Sequence, residues 1–244
     1  MTEKLLTEQA RRFDDIKANY YEICGNIEKA AEKSGRKKED ITFLAATKTV
    51  EPEYINYAVS LGLDHIGENR VQELLSKYEK YDLENTDLQF IGHLQTNKVR
   101  QIVGKVSMIQ SVDSIKLAQE ISRQSVKNEL VTDILLEVNI GREVNKSGVF
   151  QEEVEELAAK IAELDGIKIK GLMSVPPICD TKQEIFKFFD KMYKLFIDIS
   201  SKKSDNISMD YLSMGMSDDY QEAILSGANM IRVGSGLFGA RIYR

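Results

Sequence analysis

The sequence is poor in the residues and segments that mark several classes of protein. It has 244 residues but only two cysteines, Cys24 and Cys179, three prolines and no tryptophan. Two cysteines so far apart predict neither a disulfide framework nor a metal site, and they favour free thiols in a reducing compartment. No apolar run has the length of a signal peptide or of a membrane span, so the predicted location is the cytoplasm.

Neither sign of charge dominates the chain. It carries 33 basic and 39 acidic residues, a formal net charge of −6. This modest acidic balance argues against a general nucleic-acid or anionic-membrane surface. The two histidines, His65 and His93, have no second histidine or cysteine at metal-ligand spacing, so no metal is predicted.

What the sequence does contain is a regular alternation of two patterns. Residues 3–34 have the apolar spacing of an amphipathic helix, which should end near Ser34-Gly35. Eight short apolar or β-rich runs then alternate with segments of helical periodicity, at 41–47, 63–67, 88–92, 107–112, 132–140, 167–175, 207–214 and 229–234. This order predicts one α/β domain over residues 1–244, a closed (β/α)8 TIM barrel with an extra N-terminal helix. Whether that helix packs on the barrel or on a partner stays open.

In such barrels the loops after the strands form the functional site, so residues at the strand ends carry most weight. One lysine, one histidine and several amides, hydroxyls and glycines meet there. The positions are Thr47-Lys48-Thr49, Gly67-Glu68-Asn69-Arg70, Gly92-His93, Ser111-Val112-Asp113, Val138-Asn139, Met173-Ser174, Ser213-Met214-Gly215 and Gly234-Ser235-Gly236. The sequence therefore predicts a polar mouth above an apolar barrel.

Lys48 closes the apolar run ITFLAATK. Desolvation at that position would favour a neutral amine, which can form an imine with an aldehyde. The alternative is a lysine that reaches from the strand end to solvent, and position alone favours this alternative.

The segment SMGMSDDYQEAILSGANMIRVGSG, residues 213–236, is a candidate phosphate site. Loops after the seventh and eighth strands of TIM barrels commonly bind phosphate. Backbone N–H groups at Met216-Ser217 and Gly234-Ser235, with the two serine hydroxyls, could hold the dianion. Asp218-Asp219 oppose this unless their side chains turn to solvent. The alternative is a helix that Ser217 caps and Gly227 ends, and spacing does not decide between the two.

Three other side chains also have two interpretations each. Arg232 points into the barrel if Ile231 and Val233 pack under the helices, and its charge then needs a buried acid or a ligand ring nitrogen as partner. His93 fits a ligand contact or a structural hydrogen bond. Asn69 fits a ligand amide or a helix cap before VQELL.

Several stretches are specific enough to carry a family resemblance. They are ATKTV (46–50), IGENRVQEL (66–74), FIGHLQTNKV (90–99), VNIGREVNKSG (138–148), GLMSVPP (171–177), and LSMGMSDDYQEAI with IRVGSGLFGAR. From about residue 5 to residue 241 the chain resembles the pyridoxal phosphate homeostasis protein family, which is similar to the N-terminal barrel domain of alanine racemase. The resemblance implies a fold-type III barrel with pyridoxal 5′-phosphate (PLP) as cofactor, held as a Schiff base on Lys48.

The resemblance also implies roles for other residues. Arg232 would face the pyridine nitrogen, the Ser217 and Ser235 loops would hold the phosphate, and Lys146 matches a lysine with a role in cofactor exchange. Ser235 stands where the family often has threonine, and the hydroxyl is kept. The predicted cofactor-binding set is Lys48, Asn69, His93, Ser174, Ser213, Met216, Ser217, Arg232, Gly234 and Ser235, with no catalytic residue.

The remaining choice lies between a carrier and a catalyst. A cationic Arg232 beside the ring nitrogen would disfavour its protonation and weaken carbanion stabilisation. In alanine racemase the second base comes from a C-terminal β-domain and a dimer partner, whereas this chain stops at Arg244. These features favour a monomeric protein of PLP homeostasis that stores, buffers or delivers the cofactor, with PLP-dependent apoenzymes as partners. The alternatives are a PLP-dependent amino-acid racemase or lyase with Lys48 as base, and a cofactor-free Schiff-base aldolase.

Overall fold

The computed structural model describes residues 3–202 and 205–239. Within them, eight parallel strands form a closed barrel in sequential order, with the last strand paired to the first. The strands are β1 (Thr42–Ala46), β2 (His65–Glu68), β3 (Asp87–Phe90), β4 (Met108–Val112), β5 (Thr132–Glu137), β6 (Ile167–Met173), β7 (Ile207–Ser213) and β8 (Met230–Val233). Each predicted run overlaps one strand, and the predicted barrel is confirmed.

Helices surround this barrel. They are α1 (Glu3–Lys33), α2 (Pro52–Ser60), α3 (Val71–Lys77), α4 (Ile115–Lys127), α5 (Val154–Ala162), α6 (Lys182–Ser200), α7 (Tyr220–Leu225) and α8 (Ser235–Phe238). No helix in the described part of the chain is long and apolar enough to cross a membrane.

The connection between β3 and β4 departs from the predicted pattern. It contains a 3-10 helix over Thr96–Gln101 and no α-helix, in a segment that the structure describes throughout. Val99 and Ile102 are fully buried and lie three residues apart. That spacing suits a helix with three residues per turn, so a short 3-10 turn is enough to bury both side chains.

Helix α1 packs on the barrel. Its buried Ile16, Ile23 and Ile27 form one apolar stripe. Asn19 Nδ2 donates a hydrogen bond to the Leu237 carbonyl at 3.1 Å, which ties the helix to α8. The helix ends at Lys33, close to the predicted end, and Gly35 follows with φ of +73°, a left-handed conformation that glycine adopts without steric cost.

The barrel interior contains both apolar and polar side chains. Met108, Leu135 and Met173 form an apolar cluster that is separate from the main core between strands and helices. Gln89 and Gln110 are also buried and hydrogen-bonded to each other at 2.6 Å. These amides lead to the charged residues at the carboxyl ends of the strands.

Candidate functional site

A cavity of about 880 Å³ opens at the carboxyl ends of the strands. Pockets of this size hold small organic ligands in many proteins. Its lining includes seven residues of the predicted set, namely Lys48, Asn69, Met216, Ser217, Arg232, Gly234 and Ser235. The fold therefore brings together residues that lie up to almost 190 positions apart in the chain.

Lys48 lies two residues after the end of β1 and borders the cavity. The residue is partly buried, and its neighbour Thr47 is completely buried. A lysine that borders a cavity suits imine formation better than one directed to bulk solvent. The structure thus places Lys48 where the ligand-facing interpretation requires it.

Arg232 points into the barrel, as the strand alternation predicted, and only 5% of it is exposed. Its Nη1 donates to Ser213 Oγ at 2.5 Å and its Nη2 donates to the Ser174 carbonyl at 2.9 Å. Burial lowers the pKa of Arg232 to about 10, while the charges of Glu137 and Asp219 act in the opposite direction. The guanidinium is therefore a cation at neutral pH, and both of these hydrogen-bond acceptors are neutral.

Ser213 and Ser174 support Arg232 from inside the barrel and do not line the cavity. The Ser213 hydroxyl in turn donates a hydrogen bond to Gln110 Oε1 at 2.7 Å. Both serines are fully buried, which fixes the position of the guanidinium. These two members of the predicted cofactor-binding set therefore contact Arg232 in the structure, and their role toward a cofactor stays a prediction.

Glu137 is a residue that the sequence analysis missed. It ends β5 on the same strand face as Leu135, so it points into the barrel. Burial raises the pKa of Glu137 to about 7, the charge of Asp113 adds to this, and Arg232 opposes it. Its Oε2 is buried with no hydrogen-bond partner. The sequence does contain a pattern that could have identified it. Glu137 is the one acidic residue in the apolar run ILLEVNI, and it lies two positions after Leu135, so strand alternation places both side chains on the same face.

The loops after β7 and β8 place two hydroxyls side by side. Ser235 Oγ donates to Ser217 Oγ at 3.1 Å, and the Gly236 N–H donates to the same oxygen at 3.0 Å. Ser217 therefore does not cap α7, whose N-cap residue is Asp219, and the helix-cap alternative for Ser217 is wrong. Both serines border the cavity, as a phosphate site requires.

Asp219 folds back instead of turning to solvent. Its Oδ1 accepts a hydrogen bond from the Met216 N–H at 2.6 Å, so this predicted phosphate donor already has a partner. Burial raises the pKa of Asp219, with the Met216 bond acting against the shift. Met216 contributes to the cavity lining by position. Gly227 follows α7 with φ of +103°, which agrees with the predicted end of that helix.

Asn69 lines the cavity and does not cap α3, whose N-cap residue is Arg70. Its Oδ1 is buried without a hydrogen-bond partner, which is common where a ligand completes the site. A Cβ atom at Gly92 would lie 2.1 Å from the Asn69 carbonyl oxygen, so only glycine allows this approach of the two loops.

His93 and Lys146 lie outside the cavity lining. His93 is exposed, with its Nδ1 3.3 Å from Ser147 Oγ. Lys146 Nζ pairs with Glu143 at 2.5 Å and donates to the Pro176 carbonyl at 3.2 Å.

Arg12 is another residue that the sequence analysis missed, and unlike Glu137 it borders the cavity. It belongs to α1, and its Nη1 forms an ion pair with Glu51 Oε2 at 3.2 Å. Its guanidinium carbon Cζ lies 3.9 Å from the centre of the Tyr54 ring. Its role depends on how α1 packs, so no local pattern distinguishes it from the other basic residues.

Comparison with known proteins identifies the family. The alanine racemase N-terminal domain family matches residues 22–242. The pyridoxal phosphate homeostasis protein of Aquifex aeolicus is 43% identical over 223 residues, which cover 91% of this chain and 96% of the relative. The chain belongs to the pyridoxal phosphate homeostasis protein family. The predicted resemblance is therefore confirmed, although residues 240–241 of its last motif lie outside the described residues.

Solved structures agree with this membership of the pyridoxal phosphate homeostasis protein family. A protein of Bifidobacterium adolescentis has a TM-score of 0.88 and 33% identity, with 93% of this chain and 96% of that chain covered. PipY of Synechococcus elongatus PCC7942, solved with PLP bound, has a TM-score of 0.76 and 28% identity, with 86% of this chain and all of that chain covered.

Proposed function

We propose that this protein binds PLP as a Schiff base on Lys48 and acts as a cytoplasmic carrier that stores, buffers or delivers the cofactor. The observation that carries the proposal is the convergence of three kinds of group on one cavity. These are the amine of Lys48, the guanidinium of Arg232 and the paired hydroxyls of Ser217 and Ser235. The PLP-bound structure of PipY supports the choice of ligand.

The residues present fit the cofactor at each of its polar ends. Ser217 and Ser235 would hold the phosphate, Arg232 would face the ring nitrogen, and the orphaned oxygen of Asn69 would gain a partner. When bound, PLP supplies an aldehyde and an electron-withdrawing ring. Lys48 would hold the cofactor covalently through its amine nitrogen, with the aldehyde oxygen leaving as water.

Arg232 favours a carrier over a catalyst. A buried cation that accepts no proton cannot stabilise a protonated ring nitrogen, and that protonation strengthens the electron sink in amino-acid chemistry. Among the cavity-lining residues that the structure describes, the carboxylates are Glu51, which is paired with Arg12, and Asp218. That lining contains no tyrosine, histidine or cysteine to act as a second base to Lys48.

The first test is the absorption spectrum of the purified protein with added PLP. We expect the wild type to show a band at the edge of the visible range that borohydride removes while fixing the ligand to the chain. The Lys48→Ala variant should lack both the band and the attachment. Lys80→Ala, which changes an exposed lysine, is the matched control and should behave as the wild type. A wild type that stays colourless with excess PLP overturns the proposal.

A second test separates carrier from catalyst. The loaded protein should restore activity to a PLP-dependent apoenzyme, and it should turn over no amino acid of either hand. Racemisation or elimination that the Lys48→Ala variant loses would establish the alternative, a racemase or lyase with Lys48 as base. Sedimentation of the loaded protein at several concentrations tests whether the carrier is a monomer.

A further inference from the structure

The turn that carries Lys48 has an unusual backbone. Thr49, directly after Lys48, has φ of +63°, which places it in the left-handed region. A β-branched residue rarely adopts that conformation, and it persists only where surrounding contacts impose it. The contacts around Thr49 therefore show what fixes the direction of the turn.

Two charged side chains of α3 hold the peptide groups on both sides of Lys48. Lys77 Nζ donates to the Thr47 carbonyl at 3.1 Å, which belongs to the peptide bond before Lys48. The Thr49 N–H, which belongs to the peptide bond after Lys48, donates to Glu73 Oε1 at 2.5 Å. Lys77 and Glu73 form an ion pair at 2.6 Å, so one pair of side chains spans the whole turn.

A fully buried carboxylate anchors this pair. Glu68 Oε1 accepts hydrogen bonds from Lys77 Nζ at 2.9 Å, from Thr47 Oγ1 at 2.9 Å and from the Tyr81 hydroxyl at 2.8 Å. Burial and the charge of Glu68 raise the pKa of Tyr81, so its hydroxyl keeps the proton that it donates. Charged groups held by several short hydrogen bonds have little freedom to move.

We infer that the Glu73–Lys77 ion pair positions Lys48 for its reaction with the aldehyde by clamping the peptide groups that precede and follow it. The inference rests on the proposed function, since it assigns a role in the same Schiff-base site. Neither Glu73 nor Lys77 borders the cavity, so both act through Lys48 as positioning residues. Correct placement of a reacting group governs its rate more than its affinity for the rest of the ligand.

The test compares Glu73→Ala, Glu73→Gln and the wild type in two measurements. The first is the rate at which the Schiff-base absorption appears after mixing with PLP. The second is the affinity for pyridoxine 5′-phosphate, which has the ring and phosphate but no aldehyde. Glu79→Ala, at an exposed acidic position in the turn after α3, is the matched control, and circular dichroism checks that each variant folds.

We expect Glu73→Ala to slow Schiff-base formation by about tenfold, the effect of losing one charge-assisted hydrogen bond that orients a reacting group. Its affinity for pyridoxine 5′-phosphate should match that of the wild type. Glu73→Gln keeps an oxygen that can accept from the Thr49 N–H but loses the ion pair with Lys77, so its rate should lie between those of Glu73→Ala and the wild type. If Glu73→Ala does not fold, the Gln variant decides, because a wild-type rate in a variant that has lost the ion pair contradicts the clamp.

The outcomes separate this inference from the function on which it rests. A wild type that forms no Schiff base overturns the proposed function and the clamp with it. A wild type that forms one at the same rate as Glu73→Ala overturns the clamp alone. Equal losses for PLP and pyridoxine 5′-phosphate also overturn it, because they would indicate general damage to the cavity.

Discussion

Two clusters of buried charge flank the cavity, and they are built differently. Behind Lys48, the ammonium of Lys77 contacts two carboxylates, Glu68 and Glu73, at hydrogen-bond distance. Inside the barrel, Arg232 has hydrogen bonds to neutral oxygens of Ser213 and Ser174. Glu137 influences Arg232 only through its charge. The first cluster pairs opposite charges directly, and the second does not.

The difference predicts a structural role for the first cluster and ligand binding for the second. Removal of one partner from a closely paired buried cluster leaves a charge that nothing compensates. A buried cation with neutral partners costs stability until an electron-rich group, such as a ring nitrogen, completes its surroundings. We therefore expect the Lys77 cluster to govern folding and the Arg232 cluster to govern binding.

The largest predicted effect is on the paired cluster. Lys77→Met keeps the length of the side chain but leaves Glu68, which is fully buried, without its cation. We expect a loss of about 3–5 kcal/mol in the free energy of unfolding. Urea unfolding of the unliganded protein measures it, with Lys80→Met at an exposed position as the control. A loss no larger than that of the control would show that the two clusters do not differ as proposed.

The next effect is a pH dependence that arises in the second cluster. Burial raises the pKa of Glu137 from 4.5 to about 7, so between these values the native carboxyl keeps a proton that the unfolded chain releases. Rising pH then favours the unfolded state, and Glu137 should contribute a loss of about 3 kcal/mol across this window. Above it, no further loss from Glu137 is expected.

Glu137→Gln removes this contribution, so the test is the difference between the variant and the wild type. Urea unfolding of both unliganded proteins at about pH 5 and about pH 7.5 gives the change in the free energy of unfolding between the two pH values for each protein. Glu153→Gln, at an exposed position, should keep the wild-type dependence. Equal pH dependence in Glu137→Gln and the wild type would mean that Glu137 is not protonated in the native state at the lower pH.

The two clusters were not equally predictable from the sequence. Arg232 could be assigned to the barrel interior, because strand alternation fixes the face of a residue once its neighbours are known to be apolar. The Lys77 cluster joins β2, α3 and the turn after β1, and nothing in local spacing shows that these elements converge. Strands and the position of Lys48 follow from periodicity, whereas contacts between side chains of different elements depend on packing.

The same distinction explains the individual corrections. Ser217 stands before an acidic pair and looks like a helix cap, but tertiary contact with Gly236 and Ser235 takes its hydroxyl instead. Asp219 uses the Met216 N–H that the pattern assigned to phosphate. In both cases a local hydrogen-bonding preference had two possible partners, and only the fold decides which one lies within reach.

A smaller effect is predicted for binding through Arg232. Arg232→Met should change the free energy of unfolding by no more than about 1 kcal/mol, because loss of a buried charge offsets the lost hydrogen bonds. Affinity for PLP should fall by about tenfold to a hundredfold, as expected for a hydrogen bond to a charged group. Equilibrium titration followed by absorbance measures the affinity. If Arg232→Met lost as much free energy of unfolding as Lys77→Met, the two clusters would not differ in their structural role.

The smallest effect is predicted at the phosphate end, where hydroxyls and a backbone N–H replace buried charges. Ser217 Oγ accepts from Ser235 Oγ and from the Gly236 N–H, so Ser217→Ala removes one hydroxyl of the proposed phosphate site and leaves both donors without their present acceptor. We expect PLP to bind about threefold to tenfold more weakly, the effect of one neutral hydrogen bond. Pyridoxal, which lacks the phosphate, should bind the variant and the wild type equally. An equal loss of affinity for PLP and pyridoxal would show that Ser217 supports the shape of the cavity and does not contact the phosphate. A residue without charge would then have a structural role at the cavity, so direct charge pairing would not by itself distinguish structural residues from binding residues.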